Sequence, residues 1–270
     1  MIKMKRLLIL MAAMAVVSCN NNNKNTATSP VHKKFKDSLS YTYQTVKERS
    51  NDCGNKPDSG CTVAQFAYPV FKDRPTLNDT VNSTLVYFFN SDKHPDTSLK
   101  DCALLFLQAY YYSKKSHPAN APAFKLDSYT RILSQDSSLT TISASVFIHM
   151  GIGAGHTIIR FINWDRTANK KLLLNDLLVD GYQDRLSKMA ESIFRINAHL
   201  SDTASLQPNY HFRNNKFWLT DNYVITPDGL LFYYNKFQIS LSGPIEILLP
   251  YDRLKPLMKT KTVLSQFIKQ

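Results

Sequence analysis

The sequence predicts an α+β fold: antiparallel sheets with packed helices, arranged as two intertwined or adjacent small modules. Three observations carry that expectation. Short runs rich in β-branched and aromatic residues recur along the chain and are separated by turn-forming stretches. Two windows place apolar residues at helical spacing between the first strands and the rest. About 235 residues remain once the N-terminal segment is set aside, and with 43% apolar residues, 14 tyrosines and 15 phenylalanines they suffice for a proper core.

The chain opens with Lys3, Lys5 and Arg6, followed by an unbroken apolar run from Leu7 to Val17. That is a charged start and a short apolar stretch of secretory type. It is too short to span a bilayer, which takes about 20 apolar residues. Val16-Val17-Ser18-Cys19 then resembles the lipobox of bacterial lipoproteins. The resemblance implies a signal peptide over 1–18 and a lipid-bearing Cys19. The asparagine-rich stretch after Cys19 has little to bury, so 19–36 is expected to be a disordered tether. Asparagine, not aspartate, follows the cysteine, which favours the outer membrane, facing the periplasm.

Elements follow in order. "SLSYTYQTVKERS" alternates Leu39, Tyr41, Tyr43 and Thr45, a strand pattern. "CTVAQFAYPVF" is its hairpin partner across the cysteine loop. Cys53 and Cys61 flank "GNKPDSG", and in an oxidising compartment they are expected to pair, leaving Cys102 in an apolar helical run. Leu77, Val81, Leu85 and Phe88 form one helical stripe, and "SLKDCALLFLQAYYYSKKSH" forms a second helix. "FKLDSYTRILSQ" and "LTTISASVFIHM" read as strands. Gly151, Gly153 and Gly155 are followed by the strand pattern "HTIIRFINW", so they mark a bend and lack the helix that a phosphate loop needs. "DRTANKK" is a hairpin turn. A capped turn and a long helix come next, with a stripe of Leu186, Ala190, Ile193 and Ile196 or Asn197. A hairpin around Pro227-Asp228-Gly229, the strand "GPIEILLPY" and a short helical end complete the body. The expected organisation is an N-terminal module over 37–135, a C-terminal module over 136–258 and a basic tail over 259–270.

Charge narrows the partners. The chain holds 33 basic and 21 acidic residues, a net +12. The excess lies at the two ends, because 1–36 and 259–270 carry no acid. The body is close to neutral, so no nucleic-acid partner is expected. The tether lysines are placed to meet anionic headgroups, and the expected partner on that side is the membrane, through the lipid anchor.

Two long stretches resemble a known pairing. "CTVAQFAYPVF" with "LNDTVNSTLVYFF" is similar to the PdaC-type N-terminal module of envelope proteins. "GAGHTIIRFINWD…KKLLLNDLLVDG" and "DGLLFYYNKFQISLSGPIEILLPYDRLKPLM" are similar to the RsiV-type C-terminal module, found in the ectodomain of a lysozyme-sensing anti-sigma factor. The N-terminal module also precedes a peptidoglycan deacetylase domain in some enzymes. The resemblance implies an envelope fold and a ligand-sensing role, with a lysozyme-like protein or peptidoglycan as ligand. The sequence departs from the pattern at Lys236, Phe237 and Gln238, where the family has a Pro-Tyr-Glu-type stretch, and its turn at Ser242-Gly243 comes early. It contains neither the sigma-binding segment nor the membrane helix of the anti-sigma factor.

No HExxH, CxxC, GxSxG or GxxxxGK[ST] pattern occurs. The expected reading is therefore a non-catalytic envelope binding protein without cofactor or metal. Candidate ligand-binding residues are His156, Trp218, Tyr233, Tyr234 and Phe237, although strand alternation turns half of such a set toward the core. The alternative is a peptidoglycan-modifying hydrolase. His149 and His156 would then converge across the glycine bend as metal ligands, or Glu191 and Glu246 would act as a carboxylate pair.

Overall fold

The computed structural model describes residues 38–89, 97–116 and 121–268, all within one unit, Phe35–Gln270. Cys19, the signal segment and the tether lie outside the described residues. Strand β1 (Tyr41–Arg49) pairs antiparallel with β2 (Val63–Phe71), from Tyr41 opposite Phe71 to Arg49 opposite Val63. The loop between them is closed by a Cys53–Cys61 disulfide with Cα atoms 5.4 Å apart. Asp52 ties that loop to the second helix. Its carboxylate accepts hydrogen bonds from Ser50 Oγ (2.6 Å), Tyr110 OH (2.8 Å) and Lys114 Nζ. Burial works to raise its pKa, but those three bonds outweigh it and hold the carboxyl below the usual aspartate range.

Helices α1 (Pro75–Tyr87) and α2 (Leu99–Ser116) carry the chain back to the start of β2, so β3 (Lys125–Gln135) runs parallel to β2. That pair is the exception in a sheet that is otherwise antiparallel. A parallel neighbour needs a long crossover connection, and the two helices supply it. Strands β3 and β4 (Leu139–His149) form a long hairpin. Its turn is held by Asp136 Oδ1, which accepts from the backbone of Ser138 (2.7 Å) and Leu139 (2.8 Å). The chain then passes through the glycine bend, with Gly151 at φ +82°, into β5 (His156–Asp165) and the short β6 (Lys170–Lys171). The six strands lie in sequence order, and the sheet runs on through the 135/136 position where the sequence reading divides two modules. Leu77, Val81, Leu85, Cys102 and Phe106 of the helices pack on one face, with Phe66, Ile142 and Trp164 of the strands. Cys102 is unpaired in this core.

A second core forms around α3 (Leu174–Leu177), α4 (Gln183–Asn197) and a three-stranded antiparallel sheet, β7 (Tyr223–Thr226), β8 (Gly229–Tyr234) and β9 (Ile245–Pro250). The buried stripe of α4 is Leu186, Ala190 and Phe194, with Ile193 half-buried. The expected continuation to Ile196 fails, since that side chain is 62% exposed. Phe194 takes the place because an aromatic cluster receives it: Tyr210, Phe212 and Phe217 have ring centres 4.8, 5.4 and 5.6 Å from its own. The chain ends with α5 (Tyr251–Leu254) and a single-turn helix at 263–267, where Leu264 is buried and Phe267 stacks on Tyr251. The segment expected as a basic tail is therefore packed through residue 268.

Three asparagines join the two sheets. Beyond its short pairing with β6, the outer edge of β5 has no strand partner among the described residues. Asn235 Oδ1 accepts from Ile159 N (2.7 Å), and Asn222 Oδ1 accepts from Phe161 N (3.0 Å). Asn222 Nδ2 donates to Ile159 O (2.8 Å). In the other direction, Asn163 donates to Tyr223 O (2.9 Å) and accepts from Ile225 N (2.8 Å). Each side-chain amide does the work of a strand partner, so the backbone groups it reaches are satisfied without a shared ladder.

Candidate functional site

The residues expected to recognise a ligand separate into three environments. Tyr234 is fully buried, and its hydroxyl donates to Trp218 O at 2.6 Å. Burial raises its pKa. Alternation along β8 explains the loss: Leu230, Phe232 and Tyr234 face the core, while Leu231 and Tyr233 face outward. Tyr234 is thus a core residue and not a ligand contact. Tyr233 is half-buried, with Phe161 packed edge-on at 5.8 Å. Burial, then the charge of Glu246 opposite it, raises its pKa.

Phe237 sits at the tip of the turn after β8, at φ +72° and 54% exposed. Its ring meets the edge of His156 at 5.7 Å, and Lys236 Nζ lies 4.9 Å from its centre. His156 and Phe237 therefore form one small patch. His149 is elsewhere. Its Nε2 is 3.1 Å from Gly153 O. Ile148, not His149, stands opposite His156. Opposed residues share a face and neighbours alternate, so the register turns the two histidines to opposite sides of the sheet. The expected convergence on a metal does not occur. Among the described residues, no group of three His, Cys, Asp or Glu is placed to hold a metal ion. Glu191 is held by Arg195, whose Nε donates to it at 2.9 Å, and Glu246 lies on β9.

Trp218 belongs to the third environment. It is 36% exposed and packs edge-on against Tyr234 (5.4 Å) and Phe212 (6.4 Å). With His211, Arg213, Lys216, Phe217 and Gln238 it lines a cleft of about 550 Å3. Three basic side chains and two aromatic rings meet there, and among the described residues no carboxylate lines it. The loop that presents them is braced. Asn215 Oδ1 accepts from the backbone of Leu206 (3.1 Å) and Gln207 (3.2 Å), and its Nδ2 donates to Ser205 Oγ (3.1 Å). His211 N donates to Ile239 O (2.8 Å), which fixes the loop against the turn that carries Gln238. Phe212 anchors the loop in the core at 2% exposure. A volume in the range of small-ligand pockets, rigid walls, stacking surfaces and positive charge suit an anionic ligand with flat or ring-shaped parts. Of this set, only Trp218 is a sequence-level candidate. The signal for the others is the run "HFRNNKFW", where bases alternate with aromatics and no acid intervenes.

Residues 175–252 match the family described as a protein of unknown function, DUF3298. The chain is similar in fold to a solved DUF3298 family protein from Pseudomonas aeruginosa PAO1, at TM-score 0.63 and 22% identity, covering 83% of this chain and 96% of that one. It is also similar to a solved member of the family from Bacteroides fragilis NCTC 9343, at TM-score 0.65 and 17% identity, covering 87% and 100%. No curated protein matches the sequence.

Proposed function

We propose that this protein is a non-catalytic, lipid-anchored component of the cell envelope that binds a carboxylate-bearing cell-wall glycan in the Trp218 cleft. The observation that carries the reading is the lining of that cleft, in which His211, Arg213 and Lys216 surround Phe217 and Trp218 with no acidic side chain among the described residues. Peptidoglycan offers the matching chemistry: sugar rings to stack on aromatics and carboxylates to meet the bases. The RsiV-type resemblance supports a sensing or binding role and offers a lysozyme-like protein as the other ligand class. The charge of the cleft favours the glycan, since a basic protein would be repelled. On this reading the anchor is Cys19, the membrane is the outer membrane and the domain faces the periplasm.

Two results are expected. Isolated peptidoglycan sacculi should pull down the purified full chain, and Arg213→Gln with Lys216→Gln should weaken that binding by about tenfold, on the order of 1.4 kcal/mol. Undiminished binding by the double variant would remove the cleft from the account. Release of soluble fragments from the same sacculi, abolished by His156→Ala, would favour the hydrolase instead. Independently, Cys19→Ser should yield a product that no longer partitions into detergent. Unchanged partitioning would contradict the anchor.

A further inference from the structure

A second recess, of about 240 Å3, lies at the seam between the two sheets. Phe161, Leu172 and Leu174 give it apolar walls. Asn163 and Asn222 also line it, but both ends of each amide are engaged with backbone, so they serve as wall. The remaining charge is mostly positive. Arg160 lies with its guanidinium 4.7 Å from the centre of the Tyr87 ring, and its Nη2 is 3.5 Å from Asp221 Oδ2. Asp221 is 85% exposed at its side chain, so this is a weak, solvated pair. Lys171 forms no ion pair among the described residues. It is exposed as a residue and lines the recess beside Arg160. Desolvation where it meets the recess, then the Arg160 charge, lowers its pKa, and Asp221 offsets only part of the effect. At the rim, Tyr182 OH donates to Asn175 Oδ1 (2.8 Å), which leaves Asn175 Nδ2 as a further donor.

We propose that this recess binds a small oxyanion, a carboxylate or phosphate group, between Arg160 and Lys171. Two cations against one solvated carboxylate leave positive charge beside apolar walls, where an anion interacts more strongly than in water. A guanidinium presents paired donors that fit the two oxygens of such a group. The volume falls below the ~300–1,000 Å3 usual for drug-sized ligands, which matches a small anion. The proposal is independent of the Trp218 cleft, and the test separates them.

The experiment is calorimetric titration of the full chain with sodium phosphate and, separately, sodium acetate, against sodium chloride at equal ionic strength. Saturable one-site binding is expected for at least one of the two. Preference between them identifies whether the natural group is a phosphate or a carboxylate. Lys171→Gln should weaken binding at least tenfold while its melting temperature stays within about 1 °C of the wild type, as expected for an exposed position. Lys171→Arg should retain binding, and Arg213→Gln with Lys216→Gln should leave it unchanged. Absence of saturable binding by both anions would overturn the proposal. So would binding that survives Lys171→Gln, or binding lost with the Arg213 and Lys216 changes.

Discussion

Replacing Gly229 with alanine is expected to lower stability by about 3 kcal/mol or more. A Cβ at Gly229 would stand 2.1 Å from Leu249 O, 2.8 Å from Leu249 C and 3.0 Å from Pro250 Cα. All three are backbone atoms of the neighbouring strand, so no side chain can swing aside. Strands β8 and β9 would have to part where Gly229 faces Pro250, directly beside the buried pair Leu230 and Leu249. The turn itself would also be disturbed. Thr226 Oγ1 donates to Gly229 O (2.9 Å), and Gly229 N donates back to Thr226 Oγ1 (3.2 Å). In a domain of this size such a loss should lower the melting temperature by roughly 6–12 °C. Gly243→Ala is the control, because a Cβ there meets no atom within 4 Å. Equal melting of Gly229→Ala and wild type would contradict the packing described.

Asn163→Ala is expected to cost about 2–4 kcal/mol, although it removes only a few atoms from a strand end. The side chain is 2% exposed, and both halves of its amide serve β7. Truncation leaves Ile225 N–H and Tyr223 C=O without partners, and those residues are 2% and 5% exposed. Water cannot reach them cheaply, so the penalty is that of two unsatisfied buried groups. Denaturant unfolding measures the total. Hydrogen exchange locates it: the Ile225 amide should lose protection, while the β3–β4 hairpin keeps its own. A loss below about 0.5 kcal/mol with Ile225 still protected would show that the seam does not depend on this amide.

These two positions mark what was and was not legible in the sequence. Pro227-Asp228-Gly229 reads as a hairpin turn from composition alone, and the structure places it there. Alternation also separates Tyr234 from Tyr233 in principle, because period two sends one ring inward. The helical stripe of α1 is present at Leu77, Val81 and Leu85 because local spacing decides it. Asn163, Asn222 and Asn235 carry no comparable signal. Asparagine reads as a turn former, and its use as a substitute strand partner depends on an edge brought near from 60 or more residues away. The parallel β2–β3 pair is likewise a matter of connection and not of composition. The cleft falls between these cases. Its bases and aromatics are visible at 211–218, but the segment has no period, and only the brace from Asn215 and the anchor at Phe212 give it shape.

The central claim, glycan binding in the cleft, is tested most directly through Trp218 itself. The chain has 2 tryptophans. Trp164 is 1% exposed in the first core, so collisional quenching by acrylamide reports on Trp218, at 36%. A soluble muropeptide titrated into the full chain should reduce that quenching in a saturable manner. Arg213→Gln with Lys216→Gln should move the midpoint to about tenfold higher muropeptide concentration. Muropeptide binding, detected by calorimetry, that leaves Trp218 as open to acrylamide as in the free protein would contradict the account.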